Sequence, residues 1–400
     1  MKRIFAGLSL ACLALAIPFY SPEGPNSDSQ VQLGQFTAED YANYPGYDLD
    51  LDALRLVQLE GREPVWMTEY EKIQAKAQGL NFFDMMVICP NPLPGSLLTA
   101  FAIITVVFGP LTHQNKVKSV ISTLSVDGPK ANLKKFTSFR TRYYRSDTGR
   151  ESQLWLLNKI HETTSKSASP SLKKRIATKE FTHSWAQSSI ITSINGSTSP
   201  EEIVVISAHQ DSTNMWPWLP APGADDDGSG SVTILEAYRA LLESDFKPNR
   251  TVEFHWYSAE EAGLLGSQAV ANDYKARGVK VVAMSQFDMT AWVKKGTREE
   301  VGVITDFTNP KLTQFNKGLV EEYLSIPYVE TKCGYACSDH ASWEKAGYPA
   351  IFTIESAFSN SNHFIHSSND RIDISDEFSF SHLLEFSKLA VAFAIELGGW

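Results

Sequence analysis

The pattern of apolar and polar positions divides the chain into unequal parts. Lys2-Arg3 precedes an apolar run over residues 4–17 that closes on small residues, Ala14-Leu15-Ala16. Basic, apolar and small residues in that order predict a secretory signal peptide over residues 1–16, since about 14 apolar residues fall short of the ~20 that span a bilayer. Residues 17–88 follow as a polar stretch, with a helix expected over 50–78, and read as a pro-segment. A second apolar run within residues 87–111 has neither strand alternation nor the length of a membrane helix. It reads as an insert, such as translated non-coding sequence. From Gln114 onward, strand-like runs at 188–194, 203–208, 252–257, 281–284 and 348–353 alternate with amphipathic stretches such as 230–242 and 383–397. Near-continuous apolar strands between helices predict an α/β fold, with a mostly parallel central sheet covered by helices on both faces. The expected organisation is a single domain over residues 89–400.

Composition changes this picture in three places. A balance of 36 basic against 46 acidic residues, net −10, argues against a nucleic-acid binder, whose footprint is a basic excess. Residues 21–80 hold eleven acidic and four basic side chains, so most of the acidity belongs to the pro-segment. Four cysteines in 400 residues exclude a disulfide framework, and no paired CxxC knuckles mark a structural zinc site. Export to an oxidising compartment gives meaning to two glycosylation sequons, Asn195-Gly196-Ser197 and Asn249-Arg250-Thr251.

An open parallel sheet places its site beyond the carboxyl ends of its strands. There the chain carries His209-Gln210-Asp211-Ser212, Glu260-Glu261 and Asp288, each directly after an apolar strand. Between the first two lies Gly223-Ala224-Asp225-Asp226-Asp227-Gly228, opening a helix. An aspartate run before a helix is by itself more often a cap on its dipole. Three groups of carboxylates at one buried sheet edge repel unless cations neutralise them, and a pair of divalent metals is the natural resolution. Imidazole and carboxylate donors without thiolate suit catalytic zinc. A second histidine is expected from Asn362-His363-Phe364-Ile365-His366-Ser367, where both His363 and His366 are candidates.

Together with Ser258-Ala259-Glu260-Glu261-Ala262-Gly263-Leu264-Leu265-Gly266-Ser267, Phe287-Asp288-Met289 and Cys333-Gly334-Tyr335-Ala336-Cys337-Ser338-Asp339-His340, these motifs resemble the secreted di-zinc aminopeptidases, the leucine aminopeptidases of fungi and their bacterial relatives. The resemblance covers residues 114–400 and implies a zinc-exopeptidase-like domain holding two zinc ions (Zn2+) per subunit. It assigns His209 and Asp288 to one zinc, Glu261 and His366 to the other, and Asp226 as the bridge. Asp211 becomes a supporting partner of His209, and Glu260 the general base acting on a metal-bound water. Tyr335 becomes the donor to the developing oxyanion. The resemblance further implies a Cys333–Cys337 disulfide, a cis Asp226-Asp227 peptide, and His366 rather than His363 as ligand.

The reaction so implied is hydrolysis of the amino-terminal peptide bond of peptides with a free amino terminus, with leucine or another large apolar residue preferred. No nucleic-acid or membrane partner is implied, and a monomer is expected. Met289 and Ile365 flank ligands and are candidates for the pocket of the first side chain. The segment Trp216-Pro217-Trp218 reads as a rigid apolar cover, and His255, inside a strand, as a core histidine with its polar atoms satisfied. His340 has no assigned role. Two rivals share the fold: a glutaminyl cyclase using one zinc, and a non-catalytic binding module. No G-x-S-x-G elbow supports a serine hydrolase.

Overall fold

The computed structural model describes residues 44–85 and 108–400. The signal sequence, Cys12, Cys89 and most of the second apolar run lie outside the described residues. The far end of that run is packed on the domain: Phe108 meets Phe315 at 5.8 Å between ring centroids, and Phe108 and Leu111 lie against the main core.

The first described part is a small sheet, β1 (Leu54–Leu59), β2 (Val65–Thr68) and β3 (Phe82–Asp84), in the order β2-β1-β3, with helix α1 (Glu69–Ala77). The single helix expected over 50–78 is therefore corrected to a hairpin followed by a short helix. Thr68 and Glu71 form a reciprocal capping box, which fixes the helix start at the end of β2.

The rest follows the α/β rhythm. Strands β4 (Ile176–Phe181), β5 (Ser189–Ile194), β6 (Ser199–His209), β7 (Arg250–Tyr257), β8 (Lys280–Phe287), β9 (Val301–Ile304), β10 (Tyr328–Thr331) and β11 (Ala350–Ile354) form one eight-stranded sheet. Its order is β10-β9-β11-β8-β6-β7-β5-β4. The central four strands, β11-β8-β6-β7, are mutually parallel, while β4 and β5 extend the sheet antiparallel and β11 pairs antiparallel with β9.

Alternation along the strands sorts residues to two layers. Val204, Ile206, Val252, Phe254 and Trp256 face the main core, built also from helices α6 (Gly228–Glu243) and α10 (Phe380–Gly398). Val205, Tyr257, Val281 and Met284 face the opposite layer, where helices α7 (Leu265–Ala276) and α9 (His340–Ala346) pack. The remaining helices are α2 (Gln114–Ile121), α3 (Asp127–Phe136), α4 (Asp147–Ser167), α5 (Pro170–Lys173) and α8 (Pro310–Tyr323). Among the described residues, no helix is long and apolar enough to cross a membrane.

Candidate metal centre and active site

The carboxyl ends of β6, β7 and β8 bring their polar residues to one place. β6 ends on His209, β7 is followed by Glu260 and Glu261, and β8 is followed by Asp288. Backbone reversals aim these side chains: Ala259 (φ 60), Met289 (φ 55) and His366 (φ 54) all hold left-handed conformations. Such conformations in residues other than glycine are uncommon and gather at functional sites. The His366 carbonyl also accepts a bond of 3.0 Å from the Met215 amide.

Asp226 stands at the centre. One of its carboxylate oxygens lies 3.1 Å from His209 Nε2 and the other 3.0 Å from His366 Nε2. His209 Nε2 is also 3.6 Å from Asp288 Oδ1, and His366 Nε2 is 3.0 Å from Glu261 Oε2. Two donor sets result, His209 with Asp226 and Asp288, and Asp226 with Glu261 and His366; within each, the donor atoms lie within 4.8 Å of one another. Glu261 Oε1 and Asp288 Oδ1 are buried without hydrogen-bond partners. Orphaned buried carboxylate oxygens are costly, and oxygen and imidazole donors at this spacing fit a divalent cation of the zinc type. His363, by contrast, is exposed and packs beside Phe364.

Charge within the site is unevenly held. Burial opposes ionisation of Asp226, yet the hydrogen bonds from His209 and His366 keep its carboxyl far below the usual range. Burial pushes Asp288 up, against the pull of His209. It pushes Glu260 well above the ordinary carboxylate range, opposed by His209 and reinforced by Glu261, Asp339 and Asp288.

Around the donors, other carboxylates fix backbone rather than reach inward. The Asp227 carboxylate accepts from the amides of His209 (3.0 Å), Gly230 (2.8 Å) and Met289 (3.2 Å), tying two strand ends to the start of α6. A Cβ at Gly230 would lie 2.3 Å from both Asp227 Oδ1 and the Phe287 carbonyl, so only glycine permits that approach. Asp370 accepts from the amides of Asp225 (2.9 Å) and Asp226 (3.0 Å), and the Asp226-Asp227 peptide is cis. Asp211 differs from the simple expectation. Its carboxylate accepts from the amides of Glu260 (3.1 Å) and Glu261 (3.3 Å), while its backbone carbonyl lies 3.2 Å from His209 Nδ1 and its nearer carboxylate oxygen 3.5 Å away. It thus links the β6 and β7 ends as well as bracing the histidine.

The donors open onto a cavity of about 420 Å³ that Glu260 and Tyr335 also line. Met215, Met289, Phe352, Ile354, Phe358 and Ile365 supply its apolar wall. Cys333 and Cys337 are bonded to each other, and Asp306 accepts from the amides of Cys333 (3.2 Å) and Gly334 (2.7 Å), which holds the loop carrying Tyr335. Two contributors had no role assigned from the sequence. Ser338 donates to Asp288 Oδ2 at 2.6 Å, and Lys76 reaches Glu261 from outside the catalytic layers.

Comparison with known proteins identifies the family. The model of peptidase family M28 matches residues 189–390. The chain is 47% identical over 353 residues to a protein of Coccidioides posadasii named leucine aminopeptidase 1, covering 86% of this chain and 88% of that protein. The chain belongs to peptidase family M28. The leucine aminopeptidase 1 of Chaetomium globosum is 48% identical to this M28 chain, with 85% and 84% of the two covered. The LapA aminopeptidase of Legionella pneumophila superposes on it with a TM-score of 0.76 at 28% identity, covering 87% of this chain and 99% of that one. As an M28 member the protein is an enzyme, a peptide hydrolase of the zinc-dependent aminopeptidase class.

Elsewhere, His255 is buried with its two ring nitrogens 3.0 Å from Tyr257 Oη and Glu253 Oε2. Trp216 and Trp218 pack together beside the segment 44–85. Asn195 and Asn249 are exposed.

Proposed function

We propose that this M28 peptidase is a secreted aminopeptidase that removes leucine or another large apolar residue from peptide amino termini, using two zinc ions. His209 and Asp288 would hold one zinc, Glu261 and His366 the other, and Asp226 both. The observation that carries this reading is the position of Asp226, with one oxygen turned to each histidine. When bound, the ions would supply Lewis-acid activation of a water and of the scissile carbonyl.

The chain's own residues would do the rest. Glu260, raised by burial and by neighbouring carboxylates, takes a proton from the attacking water and delivers it to the leaving amine. Tyr335 donates to the carbonyl oxygen as negative charge develops there. Met289, Ile365, Phe352 and Ile354 receive the first side chain, an apolar surface that favours leucine over polar residues by burial. The relatives named leucine aminopeptidase 1 support that preference. The order of residues 1–16 and the Cys333–Cys337 disulfide support export, and the exposed Asn195 and Asn249 suit glycosylation in that route. Residues 44–85, which supply one wall of the cavity through Lys76, Leu80, Asn81 and Phe82, are read as part of a zymogen segment.

Glu260→Ala is the deciding variant. It should retain two zinc ions per chain by elemental analysis and lose leucyl-substrate turnover by roughly a thousandfold, within the range for a removed general base. Turnover at the wild-type rate would exclude Glu260 as base. A single metal at saturation would favour the one-zinc reading over the peptidase centre described here.

A further inference from the structure

Lys76 places a cation on one half of the centre only. Its Nζ lies 2.7 Å from Glu261 Oε2 and 2.8 Å from the Glu261 carbonyl. That same carboxylate oxygen is 3.0 Å from His366 Nε2. Among the described residues, Asp226 and Asp288 form ion pairs with histidines alone. The contact is not a surface side chain in transit. Helix α1 is anchored by Thr68 and Glu71 at its start, by the buried Lys72, which reaches Asp84 at 3.1 Å and the Ala262 carbonyl at 3.4 Å, and by Ile73, packed with Ala259, Ala262 and Leu265. The β3 end is held by the Asp84 amide, which donates to the Gly263 carbonyl at 3.3 Å. Gln268 Nε2 bridges the Asp84 and Gly263 carbonyls at 2.8 and 2.9 Å.

We propose that Lys76 is a tethered cation that weakens metal binding at the Glu261–His366 half of the centre while residues 44–85 are docked. An ammonium and a dication on one carboxylate oxygen repel each other and compete for the same lone pairs, in a site where burial limits screening. The His209–Asp288 half, with no such neighbour among the described residues, keeps its affinity. The docked chain therefore fills its two positions in sequence, and release of the segment, which removes the cavity wall formed by Lys76, Leu80, Asn81 and Phe82, completes the centre. This rests on the two-metal reading above.

The test is a zinc titration of the metal-free full-length protein by calorimetry, against a chelator of known affinity. Wild type should show two separated affinities. In Lys76→Met the weaker site should tighten by about tenfold or more, with the tighter one unchanged. Lys76→Arg, which keeps the charge, should behave as wild type. Lys76→Gln offers a second neutral variant that retains a hydrogen-bond donor to Glu261. Superimposable two-site isotherms for wild type and both neutral variants would overturn the proposal and leave the two-metal centre standing. One zinc per chain in every variant would overturn the two-metal reading and this proposal with it.

Discussion

Four carboxylates within the short stretch around β6 and α6 do different work because of where their oxygens fall. Asp226 turns both oxygens to histidines, whereas Asp227 spends its own on three backbone amides. Asp225 receives the Asn362 amide group at 3.1 Å and the Ala291 amide at 3.1 Å. Asp211 braces the Glu260 and Glu261 amides. Residue type marks this group as chemically rich, but the division of labour depends on ångström-scale placement that adjacent identical letters do not encode. His340 makes the same point. It had no role in the sequence, and the fold buries it with its ring 5.1 Å from Phe352. Burial pushes its imidazole down to about 4, only partly offset by Asp306. The native state therefore keeps His340 neutral while the unfolded chain protonates it near its ordinary value. Stability from this residue is complete above that ordinary value and declines as pH falls toward the depressed one. His340→Leu should flatten the fall in unfolding free energy, measured by urea titration, between about pH 7 and about pH 5, by roughly 2 kcal/mol. Equal pH dependence in the two proteins would exclude this origin.

Among the elements, the five strand-like runs and two amphipathic stretches of the sequence correspond to β5, β6, β7, β8, β11, α6 and α10. A strand buried on both faces must be apolar throughout, and that requirement is visible without coordinates. The short peripheral strands were less legible. β1 and β2 expose Leu54, Val65 and Trp66 while burying Val57 and Leu59, so their apolar residues fit a helical period as readily as alternation. The capping box at Thr68 and Glu71 was the local mark that separates hairpin from helix. The loop Cys333–Cys337 is a further element whose function is positional. Asp306 holds one end, and the disulfide closes the loop that carries Tyr335. The role proposed for Tyr335 as oxyanion donor predicts that the double substitution of Cys333 and Cys337 by serine lowers kcat by about tenfold, with zinc content unchanged. Unaltered kcat would assign the bridge to stability alone.

At the scale of the molecule, two apolar seams join residues 44–85 to the catalytic layers. Leu49, Leu51 and Ile73 pack with Tyr143, Tyr144, Ala259, Ala262 and Leu265, and Phe83 packs with Leu264 and Ala341, with Lys345 Nζ 4.0 Å from the Phe83 ring centroid. On the zymogen reading proposed above, the covalently tethered segment competes with substrate at millimolar effective concentration. Limited proteolysis that separates 44–85 from the remainder should raise kcat/KM on a leucyl substrate by about tenfold or more. Equal activity before and after cleavage would remove the regulatory reading.

The sheet-and-helix architecture and the residue types at its strand ends are legible without coordinates, because burial on both faces dictates apolar runs and the chain must then turn through polar residues. The sequence also held the motifs by which the family resemblance could be stated. Three-dimensional packing alone turns the two oxygens of Asp226 to different histidines, lets Asp211 span two strand ends, and brings Lys76 to Glu261 across 185 positions of sequence. Those are distances between segments remote along the chain. Local patterning reports how each segment is buried, whereas which segments meet is fixed by the packing of all of them at once.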